Sequence, residues 1–176
     1  MEDLSGVPPK RLLFRFTVVG EPQTRGSKKA VRIKNKAGAV VAAAAVDTND
    51  KKSKPWMEKV SRAALDEMKN RGLELERDRP IEIHATFVVP RSKSDFLKSG
   101  KVRPGARVLP KGRKDIDKLH RPLQDALSKV VFYDDNQVSD VRACKRYGDA
   151  AGVIVAVYVY PETLNELKQW KDEASG

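Results

Sequence analysis

The chain has one cysteine, Cys144, and two histidines, His84 and His120. A lone cysteine excludes an internal disulfide, and three such residues so scattered give no zinc-ligand pattern. Cys144 lies in the strand-like run Val141 to Arg146, where a buried, inert thiol is expected. Long apolar runs are also missing. The longest, Ala37 to Val46, is short, Ala-rich and broken by a Gly, and no charged-then-apolar signal segment opens the sequence, so a cytoplasmic protein that does not span a membrane is expected. No Gly-rich phosphate loop is present, and no Ser or Cys nucleophile has an obvious His partner. What remains is a 176-residue sequence, 40% apolar, long enough for one domain with a hydrophobic core. That domain is expected to span residues 1–176, with 1–10 and 171–176 frayed.

What the sequence has in excess is positive charge. The net charge is +11, and between Lys98 and Arg121 nine basic residues stand against two acidic ones. A second basic run comprises Arg25, Lys28, Lys29, Arg32, Lys34 and Lys36. Clustering of this kind points to a polyanion, because Lys and Arg on phosphates release condensed counterions. No amphipathic basic helix accompanies the runs, which argues for nucleic acid over a membrane surface. Arg25, Lys28, Lys29, Arg107, Lys111, Arg113 and Lys114 are the candidate DNA contacts.

Hydrophobic periodicity predicts the elements. Leu12 to Val19 reads as a strand stopped by Gly20-Glu21-Pro22, and Val31 to Lys34 with Ala39 to Val46 as a hairpin turning at Gly38. Residues 47–54 read as polar loop. Trp56, Val60, Ala63, Ala64 and Met68 recur at helical spacing from about Pro55, with a stop near Gly72. Ile81 to Val89 alternates as a core strand ended by Pro90. Residues 91–112 form a long basic loop of the sort that is functional or disordered. A helix over Leu119 to Val130, strands over Gln137 to Arg146 and Val153 to Tyr160, and a closing helix from Glu162 to Trp170 complete the reading.

Against this basic background, acidic residues gather in KDIDKLHRPLQDALSKVVFYDDNQV, residues 114 to 138. In an extended backbone Asp115 and Asp117 point to the same side, with Ile116 turned into the core. Two carboxylates so placed repel unless a cation intervenes, and a divalent metal supplies one. Helix capping would account for one aspartate, at about 1 kcal/mol, but not for two. Pro122 is tolerated in a first turn, so the regular helix is expected to begin at 118 to 121 or to kink there. An EF-hand is excluded, because the Gly and Glu it needs are His120 and Ala126. Asp125, eight residues from Asp117 or about 12 Å along a helix, is too far to share its metal and could pair with Arg121. Asp134 and Asp135, before Asn136, read as a solvated turn when taken alone, or as further ligands beside the first pair. Oxygen ligands favour magnesium or manganese, and metal-assisted phosphodiester hydrolysis is the economical chemistry, with Lys118 and Arg121 as local cations.

Asp-x-Asp, Leu119, Arg121, Asp125-Ala126-Leu127, Asp134-Asp135-Asn136-Gln137-Val138 and Lys145-Arg146-Tyr147-Gly148 resemble, in that order, the RusA family of Holliday junction resolvases of phages and prophages. Val19-Gly20-Glu21-Pro22 and the helix opening at Pro55-Trp56 extend the resemblance over most of residues 12–160. It implies an α+β fold, here a mixed, mostly antiparallel sheet packed by two or three helices. It further implies a homodimeric, magnesium-dependent endodeoxyribonuclease that cuts four-way DNA junctions in recombination and repair, in the host cytoplasm if phage-encoded. Carried over, Asp115, Asp117 and Asp135 would bind metal with Asp134 as a neighbour. Arg121 stands where the family commonly has a catalytic Lys, and Lys118 where Asn is common. Two other readings compete: a non-catalytic DNA-binding recombination accessory protein, and a structural nucleoprotein component that only condenses DNA.

Overall fold

Ile81, Ile83, Ala85 and Phe87 are each at most 1% exposed, so the alternation in this strand does bury one face. The computed structural model describes residues 8–25, 28–34, 38–47, 50–112 and 114–175; side chains in 28–34 and 41–47 and at 50 and 175 are not described. Its strands are β1 (Arg11–Val19), β2 (Lys28–Lys34), β3 (Val40–Asp47), β4 (Ile81–Val89), β5 (Val138–Tyr147) and β6 (Gly152–Val159). Its helices are α1 (Asp50–Asn70), α2 (Ile116–Leu127) and α3 (Leu164–Ser175). The main sheet has the order β1-β6-β4-β5, with β6 antiparallel to both β1 and β4 and β5 parallel to β4. This is the mixed, mostly antiparallel α+β arrangement expected. β2 and β3 form a separate antiparallel hairpin, as expected, with Gly38 at φ +85° and the turn at 35–37 outside the described residues.

One face of the sheet packs against α1 and α2. Trp56, Val60, Ala64 and Met68 stand four residues apart on α1, and Leu119, Leu123, Ala126 and Leu127 line α2; all are buried with Phe14, Phe87 and Val155 in one cluster. α1 begins at Asp50, so some of the polar stretch expected as loop is helical, with Pro55 near the start. The helix ends as expected, with Gly72 at φ +64° and the Leu73 amide bonded to Met68 O at 2.9 Å. α3 continues past Trp170, so 171–175 are helical rather than frayed. Trp170 is buried, with the Arg11 guanidinium 4.1 Å from its ring centre. Among the described residues no helix is long and apolar enough to cross a membrane.

α2 corrects one expectation and shows why it was misleading. The helix starts at Ile116, and Pro122 lies inside it rather than in its first turn. A proline at 122 cannot donate to Lys118 O, four residues back. The amide of Arg25 donates to that carbonyl instead, at 3.2 Å, and the Arg25 guanidinium forms an ion pair with Asp125. The segment after β1 is thus strapped along α2 and supplies the hydrogen bond that proline removes. Asp125 pairs with Arg25, not with Arg121.

The opposite face of the sheet carries Glu82 and His84 on β4 beside Asp140 and Arg142 on β5. Glu82 has no exposed surface, yet its carboxylate is fully partnered. Lys10 Nζ and Tyr160 OH donate to Oε2, both at 2.5 Å, while Arg142 Nε lies 3.2 Å from Oε1 and His84 Nε2 also contacts Oε1. Burial pushes this carboxyl upward, but the hydrogen bonds from Lys10, Tyr160 and His84 outweigh it and hold the group at about 2. Cys144 is on this face as well, only half-buried, with its sulfur 3.4 Å from Thr86 Oγ1.

Candidate active site

Asp115 occupies the N-cap position of α2, with φ −67° and ψ 143°, but its side chain makes no capping hydrogen bond. Only its carbonyl joins the helix, accepting from Leu119 N at 3.1 Å. The exposed carboxylate turns to Lys118, whose Nζ donates to Oδ2 at 2.8 Å. Lys118's hydrogen bond and charge, with Lys145 adding a smaller attraction, hold Asp115 below the usual carboxylate range. Asp117 lies in the first helical turn and is exposed. The pair is therefore split between an extended residue and a helical one, not carried on one extended segment, and Ile116 is 36% exposed instead of anchored in the core. Arg121, one turn beyond Asp117 on the same side of the helix, is exposed too.

The start of α2 is braced from two directions. Lys145, near the end of β5, donates to Lys114 O at 2.9 Å, and Lys114 Nζ reaches Glu21 Oε1 at 2.8 Å and the Pro22 carbonyl. The Lys114 hydrogen bond lowers the Glu21 carboxyl below its ordinary value. Lys145 had appeared in the sequence only within a motif. Its proximity to Asp115 depends on where the parallel strand β5 ends, which no local pattern reveals.

Asp134 and Asp135 lie beyond the other end of α2. The 12-residue helix alone spans about 18 Å. After it, Lys129 turns the chain at φ +64°, and Asp134 caps a short 3-10 turn by accepting from Asn136 N at 3.0 Å, with Gln137 Oε1 accepting from the Asp134 amide at 2.9 Å. The second oxygen of Asp134 is 3.9 Å from Lys129 Nζ. Asp135 is exposed. β5 then runs back past the length of α2 to Lys145. Asp115 and Asp117 are thus brought together, and Asp134 and Asp135 are brought together, but one chain does not unite the two pairs. Among the described residues no group of three or more His, Cys, Asp or Glu side chains could hold a metal ion. Two exposed carboxylates at the start of α2 still suit a hard cation such as magnesium, which keeps several waters and takes one or two protein carboxylates.

A groove of about 990 Å³ opens beside Lys114, where β4 and β5 end. Val89, Pro110 and Tyr147 give it apolar lining, the 91–112 loop forms one wall, and Arg107, Lys111, Lys114 and Lys145 bring positive charge. Of the candidate DNA contacts, Arg107 and Lys111 are exposed here, Lys114 and Arg25 are engaged in the ion pairs above, only the backbone of Lys28 and Lys29 is described, and Arg113 lies outside the described residues. The long loop is ordered by its own bonds. Leu97 N bonds to Lys101 O and Arg103 N to Asp95 O, both at 2.8 Å, and Arg91 stacks on Tyr147 at 4.0 Å.

A search of curated proteins found no match to the chain. The family model described as Endodeoxyribonuclease RusA matches residues 16–158, which takes in the sheet from within β1 to within β6, both acidic pairs and the basic loop, and leaves out α3. With most of its length matched, the chain belongs to the RusA endodeoxyribonuclease family.

Proposed function

We propose that the chain resolves four-way DNA junctions in recombination and repair as a magnesium- or manganese-dependent endodeoxyribonuclease, and that its metal site is completed between two copies of the chain. The observation that carries this reading is the uncapped, exposed Asp115 carboxylate with Asp117 two residues on, directly after Lys114 of a basic groove, in a chain of the RusA family. A divalent cation there would supply Lewis acidity at a phosphoryl oxygen and acidify a water for in-line attack. Asp115 and Asp117 would hold that cation from one chain. Asp135, with Asp134 beside it, would supply the remaining carboxylate from a partner, because an antiparallel pairing of two α2 ends would set the start of one helix against the end of the other. A twofold axis then yields two such sites, matching two cuts in opposed strands.

Lys118 pairs with Asp115 in this structure, and with a cation bound there it would be free to face the scissile phosphate. Arg121 contributes fixed charge on the same helix face. It cannot act as a proton donor, so in this reading its role is electrostatic. Arg107, Lys111 and the other loop cations position the backbone without reading sequence.

Incubation of the protein with an end-labelled four-way junction and a matched linear duplex, with magnesium, manganese or EDTA, tests the function. Paired, metal-dependent cuts in the junction and an intact duplex are expected. Tight binding with no cutting in either metal would instead identify a non-catalytic accessory protein.

A further inference from the structure

The 91–112 loop ends in a feature that the nuclease chemistry does not use. Val108 is 84% exposed, the most exposed large hydrophobic side chain among the described residues, and Leu109 beside it is 53% exposed. Leu97 and Val102 on the same loop are exposed as well. Single apolar residues on a surface need no explanation, but a consecutive pair between Arg107 and Pro110-Lys111 is unusual. The tip is also held firmly. Arg91 Nη1 donates to Arg107 O at 2.9 Å, Arg107 Nη1 donates to Lys111 O at 3.4 Å, and Arg91 lies on the ring of Tyr147 at the end of β5. The loop is therefore braced against the sheet while its apolar side chains face solvent. Arg107, Pro110 and Lys111 around it line the basic groove, which extends to Lys114 and Lys145.

We infer that Val108 and Leu109 form a wedge that enters the base stack at the branch point of a DNA junction, with the groove receiving the displaced nucleotide. This rests on the junction-nuclease reading above and deepens it. Apolar side chains inserted between base steps unstack them at a cost of a few kcal/mol, which backbone contacts made by the distorted DNA offset. Arg107 and Lys111 flank the wedge where those phosphates would lie. The groove fits a displaced nucleotide in chemical terms: the half-buried Val89, Pro110 and Tyr147 give apolar surface, Ser92, Ser94 and Asp95 offer polar groups to a base edge, and Lys111 and Lys145 offer charge to its phosphate. Stacking is already interrupted at a branch point, so separating adjacent bases costs less there than within a continuous duplex. The wedge thus favours branched over linear DNA without a sequence-specific contact.

The test uses the full-length protein and a four-way junction carrying 2-aminopurine at the branch point, whose fluorescence rises when the base unstacks. With EDTA present, the wild-type protein is expected to raise fluorescence about threefold or more on binding, and a duplex with the same base should stay dark. The double variant Val108→Ser, Leu109→Ser should bind the junction within about threefold of wild type, leave the fluorescence near that of free DNA, and cut it about tenfold or more slowly in magnesium. Unstacking by the double variant equal to wild type would overturn the wedge. So would wild-type protein that binds and cuts the junction with no rise in fluorescence, and in that case the nuclease reading would stand. A wild-type rise lost in the variant, with no cutting by either protein in magnesium or manganese, would keep the wedge and remove the catalysis. Absence of junction binding by wild type would overturn both.

Discussion

Asp117→Asn is expected to lower junction cleavage by about a thousandfold or more, equivalent to about 4 kcal/mol of barrier, while leaving junction binding in EDTA nearly unchanged. The substitution keeps the shape and removes one charge. Asp117 is exposed in the first turn of α2 and packs against nothing in the core, so the fold has little to lose. A small helix-dipole contribution goes with the charge, on the order of 0.5 kcal/mol. Rates across a magnesium series, with a thermal melt of the same sample, separate the two effects. A variant that melts like wild type but cuts poorly at every magnesium concentration locates the loss at the metal-binding carboxylates. Near-normal cleavage would mean that Asp117 serves only the helix.

Glu82→Gln is expected to cost about 3 kcal/mol of stability at pH 7 and to lower the melting temperature by about 10 °C. The charge lost is completely buried, and its removal leaves Lys10, His84 and Arg142 facing a neutral amide. The sign of the pH dependence follows from the direction of the shift. The folded carboxyl sits at about 2, below its ordinary value of 4.5, so the unfolded chain takes up its proton first as pH falls. The stabilisation is fully present above about pH 4.5 and is lost as pH falls toward 2. Melts of wild type and variant at pH 7 and pH 3 should therefore differ by about half as much, or less, at the lower pH. A gap that does not narrow would show that packing, not charge, accounts for the cost.

Glu82 also marks where sequence reading stops. Alternation through β4 correctly sends Ile83, Ala85 and Phe87 to the helix-covered face, and that pattern makes Glu82 look solvated. It is buried because Lys10, from 72 residues earlier, and Tyr160, from 78 residues later, close over it, and such long-range cover leaves no local trace. The start of α2 was hidden for the same reason. Pro122 suggested a later start, because the donor that satisfies Lys118 O is Arg25, far away in the chain. What was legible was local: the strands by their period, the end of α1 by its glycine, the basic loop by its length and charge, and the acidic pair by its unlikely setting. The separation of Asp115 and Asp117 from Asp134 and Asp135 was not legible, since it depends on α2 running unbroken between them.

That separation means that mixing two inactive proteins tests whether the site is shared between two chains. Asp117→Asn and Asp135→Asn, unfolded together and refolded at equal amounts, would form mixed dimers in which one composite site carries both substitutions and the other carries neither. Each variant alone is expected to be inactive, and the mixture is expected to regain magnesium-dependent nicking of the junction, from about a quarter of all sites, without paired cuts. A mixture as inactive as its components, with both variants folded and dimeric, would contradict a site shared between two chains.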